Sequence, residues 1–273
     1  MEALLSIKNL KKSYDKNSQA LKGVDIEFIA GEFVAIIGPS GAGKSTFIRC
    51  INRMIDPTEG EIVFDGVNME KVSGKELRRQ RSGIGMIFQH YNLIGRVNVI
   101  KNVLYGRLGK MSFIRSLLGL FSESDKREAY NLIKKVGLEE QLYKRADALS
   151  GGQMQRVGIC RAIVQQPKLL LADEPIASLD PKSADVVMDQ LKEITSERSL
   201  TCIVNLHQVE YAKKYATRIV GIKDGLIVFD GKPEELSDTI ISDIYKGKED
   251  QMVLKAEYTP VLMSPGGAPE YVS

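Results

Sequence analysis

The chain has 273 residues, 43% hydrophobic, 27% charged and 7% aromatic, with 38 Lys and Arg against 35 Asp and Glu. Those fractions belong to a folded globular protein and exclude disorder, collagen-like repeats or coiled coil as descriptions of the whole. A formal charge of +3 is too small to make nucleic acid the expected partner, and no apolar run approaches the ~20 residues that span a bilayer.

In chain order, the opening MEALLSIKNLKKSYD lacks the long apolar stretch of a secretory leader. Leu4–Leu10 and Val24–Ile29 read as strands. Phe33–Ile37 is a near-continuous apolar run, the pattern of a strand buried on both faces. It leads directly into Gly38-Pro39-Ser40-Gly41-Ala42-Gly43-Lys44-Ser45-Thr46 and then the helical stretch Lys44–Arg53. This is the G-x-x-x-x-G-K-[ST] phosphate loop in its expected strand–loop–helix setting. Glycines let backbone N–H groups wrap phosphate oxygens with no Cβ in the way, and the following helix directs its positive end at them. In such a loop Lys44 reaches the β- and γ-phosphates and the Ser45 hydroxyl ligates Mg²⁺. The plain alternative, a glycine-rich turn that caps a helix by accident, does not explain the order of elements.

Lys75, Arg78, Arg79 and Arg81 cluster around a helical stretch and read as a solvated face. Beyond Tyr91 the texture changes: Val99–Leu108, Asp125–Val136 and Gln153–Ala162 look helical and strand signals are scarce. The pattern predicts an α-helical subdomain over 90–165, inserted into a discontinuous core of 1–89 and 166–245. Within it, the apolar Ser112–Phe121 suggests a membrane surface, but its shortness and Arg115 favour packing within the subdomain or against a partner. Leu149-Ser150-Gly151-Gly152-Gln153 opens the last of these helices, and Ser-x-x-Gln is a capping box. Two glycines in a helix sacrifice roughly 1 kcal/mol each relative to alanine. Capping does not call for them, whereas an anion approaching bare backbone at a helix N-terminus does.

After Pro167, the buried run Lys168–Ala172 ends in Asp173-Glu174-Pro175. Two carboxylates at the end of an apolar strand are costly unless a cation or water uses them. Asp173 is placed to hold Mg²⁺, and Glu174 to act as general base for an attacking water; a solvated turn is the bland alternative. Ser183–Thr195 keeps helical spacing at Val186, Val187, Met188, Leu191 and Ile194. Thr201–Leu206 is a further buried strand, followed by His207. Ile219–Ile222 and Leu226–Phe229 flank Asp224-Gly225, a hairpin signal. The 246–273 stretch has turn composition and reads as a flexible tail, with Met252–Met263 as a possible strand. Strands alternating with helices predict an α/β fold with a mainly parallel sheet, preceded by an antiparallel β region. Cys50, Cys160 and Cys202 are odd in number and set among apolar residues, which suits buried free thiols in a reducing compartment.

The ordered set resembles the ATP-binding cassette (ABC) ATPases over roughly residues 3–245. LSGGQ ahead of LLLADEP looks like their signature motif. Tyr14 matches the aromatic that stacks on adenine, Gln89 the glutamine joining core to helical subdomain, and Ala177-Ser178-Leu179-Asp180 the loop that meets a second subunit. His207 matches the switch histidine that contacts the γ-phosphate. The resemblance implies a phosphate-loop NTPase core, ATP and Mg²⁺ as cofactors, and a head-to-tail dimer. Each ATP would lie between the phosphate loop of one copy and Ser150, Gly151, Gly152, Gln153 and Asp180 of the other. Lys44, Gln89, Glu174 and His207 would carry the chemistry, with Ser45, Gln89 and Asp173 at the metal. It further implies integral-membrane permease subunits as partners, indirectly a substrate-binding protein, and a peripheral place on the cytoplasmic face of the membrane.

Met154, Ile176 and Asn205-Leu206, with GRLGKMSFIRSLLGLFSESDKREA, are most similar to the ATPase subunits of phosphonate importers. Phosphite or another oxoanion stays open, since no residue here would touch the cargo. A cassette-like member of a soluble carbon–phosphorus bond-cleaving complex, or a non-transport ABC ATPase, is the alternative.

Overall fold

The computed structural model describes residues 3–15 and 18–246. The expected tail and its possible strand at Met252–Met263 lie outside the described residues. The chain starts with two long antiparallel strands, β1 (Ala3–Ser13) and β2 (Gln19–Ile29), followed by β3 (Phe33–Ile37) and helix α1 (Lys44–Ile51). Next come β4 (Glu59–Phe64), β5 (Val67–Asn68), α2 (Gly74–Arg81) and β6 (Ile84–Ile87). A helical stretch follows, with α3 (Val99–Leu104), α4 (Phe113–Leu117), α5 (Glu123–Lys135) and α6 (Gly151–Val164). The chain then alternates through β7 (Leu169–Asp173), α7 (Pro181–Glu197), β8 (Thr201–Asn205), α8 (Val209–Tyr215), β9 (Arg218–Lys223), β10 (Leu226–Gly231) and α9 (Asp238–Tyr245).

Two sheets result. One is antiparallel in the order β2-β1-β4-β5, and the other runs β10-β9-β3-β8-β7-β6. In the second, β6, β7, β8, β3 and β9 are parallel and only β10 turns back. The turn that reverses it holds Asp224 at φ 49° and Gly225 at φ 80°, as the Asp-Gly hairpin signal predicts.

The apolar runs of β3, β7 and β8 follow from burial on both faces. Phe33, Ala35 and Ile37 of β3 pack with Leu170 and Ala172 of β7 and Cys202 and Val204 of β8 against the helices. Val34, Ile36, Leu169, Leu171 and Ile203 point the other way, into a second core shared with β1, β2, β4 and α1. The period of two in a pleated strand thus feeds two cores from one run. Cys50, Cys160 and Cys202 are buried and unbridged.

Three expectations need correction. The helix expected over Val99–Leu108 ends at Leu104 and continues as 3₁₀ turns through Tyr105–Lys110. Gly106 lies so close to the Arg161 carbonyl that a Cβ there would collide with it. Strands β4, β5 and β6 lie where no strand was expected. Finally, of the Ser112–Phe121 segment only Phe121 packs against the core, which removes packing within the subdomain for the rest and leaves a partner: Phe113 is 77% exposed and Leu117 74%, with Ile114, Leu118 and Leu120 exposed beside them. The Ser116 hydroxyl turns toward the Leu108 carbonyl instead, at 3.4 Å, so the apolar side of that turn faces outward.

Candidate functional site

Parallel strands bring their carboxyl ends to one edge of the sheet, where ligands bind in open α/β folds. Gly38 follows β3 by one residue, Glu174 follows β7 by one, and Gln89 and His207 follow β6 and β8 by two. The register pairs Asp173 with Asn205, and Asn205 with Ile36. Strand order therefore places the phosphate loop, the acidic pair and the histidine side by side.

The loop itself is built as its sequence demands. Gly38 (φ 147°) and Gly43 (φ 104°) occupy conformations closed to most side chains, and a Cβ at either would strike the Ile222 or Ala20 carbonyl. Gly43 caps α1 with no side-chain hydrogen bond. The first N–H groups of α1 are thus left without a side-chain acceptor, as an anion site requires. The Lys44 side chain is buried and folds back along the loop, its Nζ donating to the Gly38 and Pro39 carbonyls at 2.7 and 3.0 Å. The loop residues Ser40–Thr46, with Tyr14, Glu174 and His207, line a cleft of about 590 Å³. Tyr14 is 56% exposed at its rim, its hydroxyl 3.1 Å from Thr46 Oγ1.

Behind the loop lies a polar cluster centred on Asp173. Ser45 Oγ donates to Asp173 Oδ1 at 2.8 Å and Asn205 Nδ2 donates to the same oxygen at 3.0 Å. Arg49 Nε and Nη2 donate to Oδ2 at 3.2 and 3.0 Å. Arg49 and Asn205 did not figure among the expected site residues. Arg49 stands four residues after Ser45, hence on the same face of α1, and Asn205 is the one polar side chain ending β8. Neither belongs to a local motif; helix phase brings in the one and strand register the other.

Glu174 has a left-handed backbone, φ 52°, which turns its side chain away from the strand and toward His207. His207 Nε2 donates to Glu174 Oε1 at 2.6 Å. That hydrogen bond holds the Glu174 carboxyl below its ordinary pKa, against the opposing effect of burial, with the positive charges of Lys44 and Arg49 adding to it. The carboxylate is therefore ionised and aimed into the cleft, as a proton acceptor must be.

Other expected residues stand apart. Ser150 and Gln153 form the capping box of α6, with Ser150 Oγ accepting from Gln153 N at 3.3 Å and Gln153 Oε1 from Ser150 N at 3.0 Å. A Cβ on Gly151 would come within 2.8 Å of the Tyr91 hydroxyl, and one on Gly152 within 3.2 Å of Ser183. Close packing thus gives the glycine pair a second reason besides anion binding. None of these four residues lines the cleft, and neither does Asp180, which caps α7 by accepting from Ser183 N at 3.0 Å. Gln89 is half-buried between the sheet edge and the helical stretch and is also outside the cleft wall. Among the described residues no cluster of three or more His, Cys, Asp or Glu could hold a metal alone.

The ABC transporter family model matches residues 21–177. The chain is 52% identical over 250 residues to the phosphonates import ATP-binding protein PhnC 2 of Oceanobacillus iheyensis, covering 92% of this chain and 98% of that protein. It is 54% identical over 243 residues to the protein of that name from Halalkalibacterium halodurans, covering 89% and 100%. Among solved structures, a dimeric ATP-binding cassette in a post-hydrolysis state bound to ADP and Pi superposes with TM-score 0.74 at 34% identity, covering 85% of this chain and 100% of that one. An ADP-bound cassette of an ABC transporter gives TM-score 0.78 at 29% identity, covering 91% and 100%.

Proposed function

This chain belongs to the ABC transporter family of ATPases, and we propose that it is the ATP-hydrolysing subunit of an importer for phosphonate or a related oxoanion. The single observation that carries the chemistry is the convergence of the phosphate loop, Glu174 and His207 on one cleft. The cargo rests on the relatives, whose names specify phosphonate import. The nucleotide's phosphates lie along the loop N–H groups and Lys44, and Tyr14 offers its ring to adenine. Ser45 and Asp173 form a hard oxygen pair suited to Mg²⁺, which takes one or two carboxylates plus phosphate oxygens and waters rather than a full protein cage. When bound, Mg²⁺ neutralises phosphate charge. Arg49 and Asn205 keep the Asp173 carboxylate oriented; Glu174 takes the proton of the attacking water, and His207 Nε2 holds that carboxylate in place.

The signature residues Ser150–Gln153 and Asp180 lie outside the cleft of their own chain, which supports a head-to-tail dimer in which each copy closes the other's site. Closure then ties hydrolysis to a conformational cycle. A groove of about 670 Å³ between the sheet and the helical stretch, bordered by Met86, Phe88, Arg161 and Gln165, is the dock for a permease, with Gln89 reporting its movement to the cleft. A substrate-binding protein completes the assembly. Among the described residues no helix is long and apolar enough to cross a membrane; the place proposed for the chain at the membrane is peripheral. Recovery from solubilised membranes tests the reading. Copurification with a permease and phosphonate uptake lost on Glu174→Gln are expected; recovery with soluble proteins alone overturns it.

A further inference from the structure

The turn around α4 is built inside out. On its helical wheel Phe113, Ile114, Leu117 and Leu118 share one side, and Arg115 and Ser116 lie on the other. A surface helix of a globular protein turns the apolar side inward. Here Ser116 is the residue facing the body of the protein, through Leu108, while the four apolar side chains and Leu120 are exposed. Contiguous apolar surface of this kind marks an interaction site.

Its charge selects the partner. Between Asn98 and Phe121 there are four cations, Lys101, Arg107, Lys110 and Arg115, and no Asp or Glu. Lys101, Lys110 and Arg115 are exposed. Behind the turn a cavity of about 580 Å³ is lined by Tyr105, Leu118, Phe121 and Tyr143, with Lys101 and Lys126 in its wall. Exposed Phe and Leu flanked by Lys and Arg, with tyrosines beside them, is the composition of an element that lies in a lipid interface. Cations near such a surface are drawn to anionic headgroups. Within this stretch every charged side chain is a cation, and Arg107 is paired with Asp125 just beyond it.

We propose that the 111–121 turn, with the cavity behind it, is a direct contact surface for an anionic phospholipid bilayer. This goes beyond peripheral placement through a permease: the chain holds the membrane by itself. The apolar side chains enter the headgroup–acyl boundary while Lys110, Arg115 and Lys101 meet phosphates.

The test is cosedimentation of the purified full chain with phosphatidylcholine vesicles and with mixed phosphatidylcholine–phosphatidylglycerol vesicles, at low and high salt. Binding to the mixed vesicles should exceed binding to the neutral ones by roughly tenfold or more, and fall with salt. The pair Leu117→Glu and Leu118→Glu, and separately Lys110→Glu with Arg115→Glu, should each lose about tenfold or more. Their basal ATP hydrolysis should be unchanged, which shows that they fold. Equal binding to both vesicle types, or variants that bind as the unaltered chain does, overturns the proposal. So does a chain that ignores vesicles while its variants lose copurification with a permease, because the face then belongs to a protein. None of these results bears on whether the transported ligand is a phosphonate.

Discussion

His207 Nε2 stands 2.6 Å from Glu174 Oε1, so the residue that ends one strand's loop holds the carboxylate that ends the next. The contact requires the left-handed turn at Glu174 and the parallel pairing of β7 with β8 that sets Asp173 beside Asn205. It makes the position of the carboxylate depend on the position of the loop that follows β8.

The first expected outcome concerns pH. The hydrogen bond from His207 is the main cause depressing the Glu174 pKa, and burial works in the other direction. A depressed carboxyl stays ionised down through the ordinary Glu range near ~4.3; its contribution to folding is present above that range and lost as pH falls through the lower folded value. In His207→Ala the largest depressing cause is gone and burial remains. The acid limb of single-turnover ATP hydrolysis should then move to higher pH. Superimposable acid limbs for the two proteins would separate His207 from Glu174 in function.

Glu174→Gln keeps shape and removes the proton acceptor. One positioned acid–base group is commonly worth ~10²–10⁴ in rate, so hydrolysis should fall by that order. Nucleotide should still bind, since the loop, Lys44, Ser45 and Asp173 are untouched. The lost negative charge also eases the approach of the γ-phosphate, and the variant should accumulate as an ATP-bound dimer on a sizing column with ATP and Mg²⁺. A variant that hydrolyses at the unaltered rate rules Glu174 out as base, and one that binds ATP but stays monomeric counts against the sandwich.

Much of this was legible in the residues because burial on both faces writes an unbroken apolar run. Phe33–Ile37 matches β3 end to end, and the hairpin at Asp224-Gly225 is where its turn chemistry demands. Strand β6, Ile-Gly-Met-Ile, escaped because a glycine interrupts it; that glycine is needed where Leu170 and the Ala162 carbonyl crowd in. β4 escaped because only its second half is apolar. At the site, the loop and acidic pair carry local patterns, whereas Arg49 and Asn205 join it through register and helix phase. Such partners have no motif of their own.

Tyr14 should provide stacking without reading base edges. It is exposed at the cleft rim, and its hydroxyl is engaged with Thr46 rather than aimed at a base. Tyr14→Ala should weaken ATP and GTP binding by similar factors, on the ~1–3 kcal/mol scale of base–aromatic stacking. Tyr14→Phe should keep most of the affinity. Unchanged affinity in Tyr14→Ala, measured by titration calorimetry, would move the adenine platform elsewhere.

The last expectation concerns Asn205, which is fully buried between Ser45 and Asp173. Its Nδ2 serves the Asp173 carboxylate, while its Oδ1 is a buried acceptor with no hydrogen-bond partner among the described residues. Asn205→Leu removes both at once. The carboxylate loses one donor, at a cost of ~1–3 kcal/mol, but the unsatisfied acceptor goes too, which places the net loss at the low end. Asn205→Asp is the harsher change, although it alters fewer atoms, because it sets a second carboxylate against the oxygen that Asn205 now serves. Like charges at that range raise one pKa of the pair, so the penalty is present at pH 7 and shrinks as pH falls and one carboxyl takes a proton. Denaturant midpoints at pH 7 and pH 5 should therefore rank Asn205→Leu above Asn205→Asp, with the gap narrowing at the lower pH. A gap that does not change with pH would show that shape, and not the charge on Asp173, decides what β8 must end with.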